Sequence, residues 1–259
     1  MGLQSERRIS LGLTVVLLGV ARVAAADPAS PHDSGHLPAP IEDDAIYHRL
    51  LIDQLEYRAG EANEEAVAWD VLGWVGGDHQ RLWLESEGQH RTRDDQTEIG
   101  RFDIYYGRLV APYWDLLSGV GYQRHAGTED DPDRLAAVAA LHGLLPYRLE
   151  IDATLRLDED GHLTTRLEAE SELLVNQRLI LQPRLELGAA AREDRAFDMD
   201  AGVTGATAGL RLRYEIDRQF APYLGWSWTR KLAGTADRAR EGGADVREST
   251  LVAGLRLGF

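Results

Sequence analysis

Apolar and polar residues alternate along most of the chain. In residues 179–187 the odd positions hold leucine or proline, whereas positions 182, 184 and 186 hold Gln, Arg and Glu. Residues 147–158 and 162–174 follow the same period of two. Because successive side chains of a strand point to opposite faces, each stretch predicts a β-strand with one apolar and one charged face. The chain is therefore predicted to be all-β.

The same alternation continues through twelve stretches. Their lengths are near the ~9–11 residues that a tilted strand needs to cross a bilayer. The predicted strands are residues 48–59, 65–75, 79–89, 97–110, 112–124, 134–144, 147–158, 162–174, 177–190, 204–216, 218–231 and 246–259.

Any single strand with one apolar face would fit a water-soluble sandwich as well as a membrane barrel. The connections between the strands distinguish the two architectures. Tight connections alternate with longer polar ones, the tight ones near residues 76–78, 111–112, 146, 175–176 and 217. Outer-membrane barrels carry short turns at one end, long loops at the other and an even strand number. The sequence therefore predicts an antiparallel transmembrane β-barrel of about 12 strands.

Aromatic residues gather at the ends of the predicted strands, as the interfacial girdles of membrane barrels require. Considered individually, each of these aromatic residues could instead be an ordinary core residue. The last strand alternates up to Phe259, which resembles the signal read by the outer-membrane assembly machinery. The aromatics in question are Tyr113, Trp114, Tyr147, Phe220, Tyr223, Trp226 and Trp228.

The first 46 residues differ from the rest. Arg7 and Arg8 precede an apolar run, and three alanines end at Ala26, so residues 1–26 are predicted to be a signal peptide. Residues 27–46 are rich in Pro, Asp, His, Ser and Ala and predict a disordered periplasmic tether. Residues 47–259 are predicted to form the barrel.

Composition narrows the functional classes. The chain has 28 Lys and Arg against 43 Asp and Glu, a net charge of −15, and no cysteine. This excess of negative charge opposes binding to nucleic acid. Without cysteine, disulfides, thiolate metal sites and cysteine nucleophiles are excluded. Any metal ion must be held by His, Met or carboxylate groups.

The charged faces of the predicted strands should point into the barrel. Two interpretations stay open: the charges satisfy one another inside a structural barrel, or surplus carboxylates form a narrow path for cations. The expected lumen residues are Glu85, Glu87, Asp103, Asp115, Glu150, Asp152, Glu168, Glu170, Glu172, Glu186 and Glu215, with Arg156, Arg166, Arg178, Arg184, Arg211, Arg213 and Arg256.

Several long blocks resemble the bacterial copper resistance protein B family, and the resemblance runs from about Leu55 to Phe259. The blocks are WDVLGWVGGD (69–78), RLWLESEG (81–88), APYWDLLSGVGY (111–122), GLLPYRLEIDATL (143–155), LVNQRLILQPRLEL (174–187), GLRLRYEIDRQFAPYLG (209–225) and GTADRAR (234–240).

The resemblance implies an outer-membrane protein of a Gram-negative bacterium that binds copper ions or gives them restricted passage in copper homeostasis. A structural or general barrel without a direct metal role is the alternative. Outer-membrane lipid and copper ions are the expected partners, with a periplasmic multicopper oxidase as a further candidate. Family members usually carry a Met- and His-rich N-terminal stretch, whereas here Met199 is the only methionine after the initiator. Imidazole and carboxylate ligands suit Cu(II) better than Cu(I).

Histidines are the candidate metal ligands. Solvated histidines in a linker, and exposed loops that simply collect polar residues, are the alternative interpretations. His90, His125 and His162 should lie at the loop-bearing rim near acidic loop residues, and His142 and His79 toward the periplasmic end. The predicted ligands are His32, His36, His48, His90, His125, His162 and His142.

No catalytic site is predicted. His125 follows Ser118, and His90 follows Ser86, but neither pair has the sequence context of a nucleophile. Both serines fall on the apolar face of their strands, where a small lipid-facing residue is the better interpretation. The chain is therefore expected not to be an enzyme.

Overall fold

Four stretches of the chain are described by the computed structural model: residues 45–60, 65–93, 95–125 and 133–259. The predicted signal peptide and residues 27–44 of the predicted tether, with His32 and His36, lie outside the described residues. Among the described residues, no helix is long and apolar enough to cross a membrane.

The described residues form thirteen β-segments in one antiparallel sheet. Segments β8 and β9 both pair with β10 and are two parts of one strand interrupted at Glu172, so the barrel has twelve strands. The segments are β1 (Tyr47–Ala59), β2 (Glu65–Gly76), β3 (Gln80–Arg91), β4 (Gln96–Ala111), β5 (Trp114–Arg124), β6 (Asp133–Leu145), β7 (Leu149–Asp158), β8 (Leu163–Ser171), β9 (Leu173–Leu174), β10 (Leu179–Ala190), β11 (Gly202–Tyr214), β12 (Phe220–Lys231) and β13 (Arg247–Gly258).

Pairing between the first and last strands closes the sheet. The register joins Tyr57 to Ala253, and Leu50 and Phe259 exchange both backbone hydrogen bonds, at 3.0 and 2.8 Å. A closed sheet leaves no edge of unpaired N–H and C=O groups, which hydrocarbon could not satisfy. The predicted all-β barrel of about 12 strands is confirmed.

The barrel is apolar outside and polar inside. On the outer face Val120, Leu224 and Leu251 are 64%, 69% and 66% exposed. Inside, Glu56, Asp103 and Arg213 are the fully buried large groups, together with Tyr105 and Leu117. This inverts the arrangement of a water-soluble protein, and it agrees with the face assignment made from the alternation.

One wall of the lumen is apolar, which the sequence analysis did not foresee. Trp83, Tyr105 and Leu117 pack together with Ala136, Val138 and Ala140 of β6. The middle of the inward face of β6 is therefore uncharged and packed, between Arg134 at one end of the strand and His142 toward the other.

Short connections define a turn end of the barrel, and longer ones a loop end. At the turn end, β6 and β7 are joined by a single 3-10 turn, Pro146–Arg148. At the loop end, helix α1 (Ala233–Glu241) lies between β12 and β13 and contacts β11. No helix was predicted between the strands at residues 218–231 and 246–259, so this short helix is an addition to the predicted architecture.

We expect Leu185→Arg to destabilise the folded barrel by about 2–4 kcal/mol, because it places a charge on the lipid-facing side near the middle of β10. Leu185 is 48% exposed on that face. The measurement is equilibrium urea unfolding in lipid bilayers. Gln177→Arg, in the exposed turn before β10, is the matched control and should be nearly neutral. Equal tolerance of both changes would show that the face assignment is wrong.

Candidate functional site

Arginine side chains cross the barrel and pair with carboxylates on opposite walls. Arg184 of β10 lies 3.2 Å from Asp70 of β2 and 2.8 Å from Glu168 of β8. Arg166 of β8 lies 2.6 Å from Glu87 of β3 and 2.7 Å from Glu186 of β10. We call Arg166, Arg184 and Arg101, with their carboxylate partners, the arginine plug. Its ion pairs bridge the middle of the lumen.

Arg101 links the arginine plug to the wall of β3. Its guanidinium lies 3.0 Å from Glu85 and 3.6 Å from Glu87. Next to it, Arg156 Nη2 donates to both oxygens of Asp103 at 2.7 Å, and the Tyr105 hydroxyl donates to the same carboxylate at 2.8 Å. Buried charges with several hydrogen bonds are held in a fixed geometry.

Gly121 makes room for the pair of Arg156 and Asp103. A Cβ at this position would collide with the Asp103 carboxylate and the Arg156 guanidinium. A glycine is therefore required on β5 where this buried ion pair crosses it.

A β-bulge in β1 turns two neighbouring side chains into the lumen. The pairing register shifts between Ile52 and Gln54, so Asp53 and Gln54 both point inward. Asp53 accepts a hydrogen bond from Arg256 at 2.7 Å, and Gln54 accepts one from Arg211 at 2.9 Å. A bulge changes the parity of a strand, which a strict period of two cannot reveal.

Sequence reasoning missed several lumen residues and misplaced one. The lumen residues that were not predicted include Asp53, Glu56, Asp70 and Arg101. Of these, Asp70 could have been found from the sequence, because it is the single charged residue in the apolar stretch 66–75. Arg178 was expected in the lumen but lies exposed in the turn before β10. Its backbone N–H donates to Asn176 Oδ1 at 2.9 Å, because the side chain of Asn176 builds a turn where a longer strand was expected.

Between the arginine plug and the turn end lies a cavity of about 250 Å³, called here the turn-end cavity. Its lining holds nine carboxylates and four arginines, and the carboxylates remain in excess although Arg81 and Arg213, from outside the lining, pair with Asp115 and Glu172. The arginines are Arg49, Arg101, Arg184 and Arg256. The carboxylates are those of Asp53, Asp70, Glu85, Asp115, Glu150, Asp152, Glu168, Glu170 and Glu172.

This imbalance gives the turn-end cavity a negative potential. Low-dielectric walls lined by one sign of charge concentrate the field and raise the local concentration of counter-ions. His142 of β6 is the histidine in the lining, with Nε2 3.3 Å from Glu85 and 3.5 Å from Asp152. The arrangement can attract and hold cations.

The three rim histidines lie at the loop end, but among the described residues they do not form a common group of metal-ligand atoms. The ring of His90 contacts Thr97 at 3.0 Å and lies 3.6 Å from Asp95. His125 lies 3.2 Å from Glu98. The hydrogen bond that the His125 ring donates to the Glu98 carboxylate raises the pKa of His125 above its ordinary value, since it stabilises the imidazolium. Each of these two histidines has its own local partner.

His162 belongs to a tighter group. Ligand atoms of Asp158, His162 and Asp194 all lie within 4.8 Å of one another. Arg134 already occupies this group: it donates to Asp158 at 2.8 Å and also to Asp194, and its Nη1 lies 3.3 Å from His162 Nδ1. A metal ion would have to displace this guanidinium.

The loop between β10 and β11 reaches across the outer mouth. Asp194 and Phe197 belong to this loop, yet they contact Arg134 of β6, and Phe197 also packs 5.8 Å from the ring of His125 beside β5. Burial alone would raise the pKa of Asp194, but the hydrogen bond and charge of Arg134 outweigh it and hold that pKa below its usual value. The ion pair therefore fastens the loop over the mouth.

The remaining candidates are scattered. His48 alternates with Arg49 and Leu51, which line the turn-end cavity, so it lies on the outer face of β1. His79 lies exposed in the turn between β2 and β3. Ser86 accepts a hydrogen bond from Trp69 at 3.0 Å, and Ser118 is exposed on the outer face of β5. Neither serine is paired with the histidine that the sequence placed nearby.

A closed antiparallel barrel with an apolar outer face and a charged lumen defines an outer-membrane β-barrel protein. The solved structure of the NanC porin superposes with a TM-score of 0.50 over 82% of this chain and 99% of that one, at 13% identity. At this identity the similarity concerns the fold alone.

The family follows from sequence comparison. The family described as copper resistance protein B precursor matches residues 46–259. Copper resistance protein B of Escherichia coli is 36% identical over 219 residues, which are 85% of this chain and 72% of that protein. A homolog from Pseudomonas syringae pv. tomato is 40% identical over 238 residues, 92% of this chain and 78% of that protein. The chain belongs to the copper resistance protein B family.

We expect Asp194→Asn to release the loop between β10 and β11, because it weakens a hydrogen bond to a charged group worth about 1.5–3 kcal/mol. Trypsin cleavage after Arg192 or Arg195 should then accelerate about tenfold or more. Glu159→Gln, an exposed loop-end position, is the control. Unchanged cleavage of the Asp194 variant would contradict the role of the ion pair in fastening the loop.

Proposed function

We propose that this protein binds copper ions in the turn-end cavity and gives them restricted passage through the barrel. Membership of the copper resistance protein B family places the chain in copper resistance. The excess of carboxylates over arginines in the turn-end cavity is the observation that carries the proposal, because surplus negative charge attracts cations.

Two layers of the lumen have different roles in this proposal. In the arginine plug each guanidinium contacts at least one carboxylate, which fixes the strands in register and narrows the path. In the turn-end cavity, neither Glu150 nor Glu170 forms an ion pair among the residues that the structure describes. Cations enter the region of surplus negative charge, and only ions that compete for the carboxylates of the arginine plug pass beyond it.

The ligand chemistry favours Cu(II) as the cargo. The chain offers no thiolate, and Met199 is its only methionine after the initiator. Imidazole and carboxylate groups bind Cu(II) more readily than Cu(I). The partners in this proposal are copper ions and outer-membrane lipid. The turn end faces the periplasm, where a multicopper oxidase would contact it.

A barrel without a direct metal role is the second candidate. It is supported by inner charges that pair with one another, such as Asp103 with Arg156 and Tyr105, which need no metal ion to explain them. The family is named for copper resistance rather than for an enzyme class, and this agrees with the expected absence of catalysis. The two candidates differ in whether the turn-end cavity holds copper.

We expect the double variant Glu150→Gln with Glu170→Gln to weaken Cu(II) binding about tenfold. Removing two unit charges about 10 Å from a divalent ion changes its binding by roughly 1–2 kcal/mol in total when water in the cavity screens them with an effective dielectric constant near 80. Affinity is measured by calorimetric titration of the refolded full-length chain, together with growth under copper stress. The control is Glu159→Gln with Asp217→Asn, which removes two exposed charges outside the cavity. Equal affinity in both variants would remove the support for a cation-holding cavity.

The histidines outside the cavity are proposed as capture sites and stay a prediction. Alanine replacement of His90, His125 and His162 together should lower Cu(II) uptake if copper first binds at the rim. The matching change of His32, His36 and His48 tests the tether together with the start of β1. If Cu(II) uptake is unchanged in the rim variant and reduced in the tether variant, copper is captured at the tether.

A further inference from the structure

We infer that Arg230 and Arg247 form a binding site for the phosphate group of an outer-leaflet lipid on the outer face of the barrel. Arg230 lies near the end of β12 and Arg247 at the start of β13, and the two strands pair with these residues directly opposite each other. We call them the rim arginines. The site lies outside the lumen, so it does not depend on copper binding in the turn-end cavity.

The rim arginines point toward the membrane rather than into the lumen. Arg230 keeps the parity of Leu224 and Trp226, which are 69% and 43% exposed on the lipid-facing side of β12. Arg247 keeps the parity of Leu251, which is 66% exposed on β13. The pairing of the two strands runs without a register shift. Because side chains alternate along a strand, both arginines start from the lipid-facing surface.

Their position along the strands is that of the outer membrane interface. Arg230 is the tenth residue after Phe220, where β12 begins at the turn end. At ~3.3 Å per residue and a tilt of about 40°, this distance corresponds to roughly 25 Å along the membrane normal, which is about the height of the apolar band of a membrane barrel. The loop end of such a barrel faces the outside of the cell. The rim arginines therefore lie at the level of the lipid head groups of the outer leaflet.

The rim arginines lack a counter-charge within the described part of the chain. Like charges directly opposite each other on two strands repel and destabilise the sheet. Among the described residues no carboxylate pairs with either guanidinium, and Nε of Arg230 is buried without a hydrogen-bond partner. Glu248, beside Arg247, keeps the parity of the buried Thr250 and accepts a hydrogen bond from its hydroxyl at 3.1 Å. The repulsion is relieved when an anion from the membrane binds between the two arginines.

A lipid phosphate fits this arrangement better than a free anion. Guanidinium groups bind phosphate through paired N–H donors, and two of them on strands ~4.8 Å apart can converge on one phosphate. Trp226 and Trp228 lie on the same face nearer the membrane centre and offer apolar ring surface to acyl chains. The Trp226 ring is fixed, because its Nε1 donates to Ser249 Oγ at 2.8 Å. The basic pair and the aromatic rings together match an amphiphile with a phosphate head group.

The test titrates lipid into the refolded full-length chain in neutral detergent, and native mass spectrometry counts the bound molecules. The probes are bisphosphorylated lipid A, the same lipid A with its phosphates removed, and inorganic phosphate. The variant is Arg230→Gln with Arg247→Gln. The matched control is Arg195→Gln with Arg240→Gln, which removes two exposed loop-end arginines outside the strands. The electrophoretic mobility of unheated samples reports folding, and Arg247→Gln alone, at the exposed position, replaces the double variant if that variant does not fold.

We expect the parent chain to bind bisphosphorylated lipid A at least about tenfold more tightly than the dephosphorylated lipid, because both rim arginines face the phosphate. The double variant should lose most of this preference, Arg247→Gln alone should lose part of it, and the control should keep it. A folded variant that keeps the full preference, or a parent chain without one, would overturn the site. Inorganic phosphate that binds as tightly as lipid A would overturn the assignment to a lipid. Cu(II) affinity should be unchanged in the variant, so this inference and the proposed function fail separately.

Discussion

Backbone hydrogen bonding in a medium without water is the constraint on which the rest of this structure depends. Within hydrocarbon each N–H and C=O group must find its partner in the protein, and a sheet satisfies this requirement only when it closes. The antiparallel pairing of β1 with β13, completed by the two hydrogen bonds between Leu50 and Phe259, achieves the closure. Once the sheet closes, every strand has one face toward lipid and one toward the lumen.

Closure forces the charged face of each strand into a confined space, and the charges must then be accommodated there. Arg184 and Arg166 do this by reaching carboxylates on the opposite walls. Removing one partner from such a buried pair leaves an uncompensated charge and costs about 3–5 kcal/mol. The arginine plug therefore stabilises the barrel and also narrows it.

The turn-end cavity departs from this balance. There the carboxylates of the lining outnumber its arginines, and Glu150 and Glu170 form no ion pair among the described residues. Deviations from complete pairing are expected where a protein binds something, because function is maintained at a cost in stability. The contrast between a paired middle and a turn end with surplus carboxylates is the basis for proposing that copper is handled in the cavity rather than along the whole lumen.

The sequence by itself determined the twelve strands, the lipid-facing and lumen-facing sides, and the alternation of short turns with long loops, because each of these depends on a local period of two and on turn residues. It also placed His142 at the turn end and the rim histidines at the loop end. The tertiary structure alone decided three other features: the inward direction of both Asp53 and Gln54 at the bulge in β1, the pairing of Arg184 with Asp70, and the occupation of the Asp158, His162 and Asp194 group by Arg134. A bulge shifts the parity of a strand without a reliable sequence signal, and residues far apart in the chain become partners only when the sheet closes.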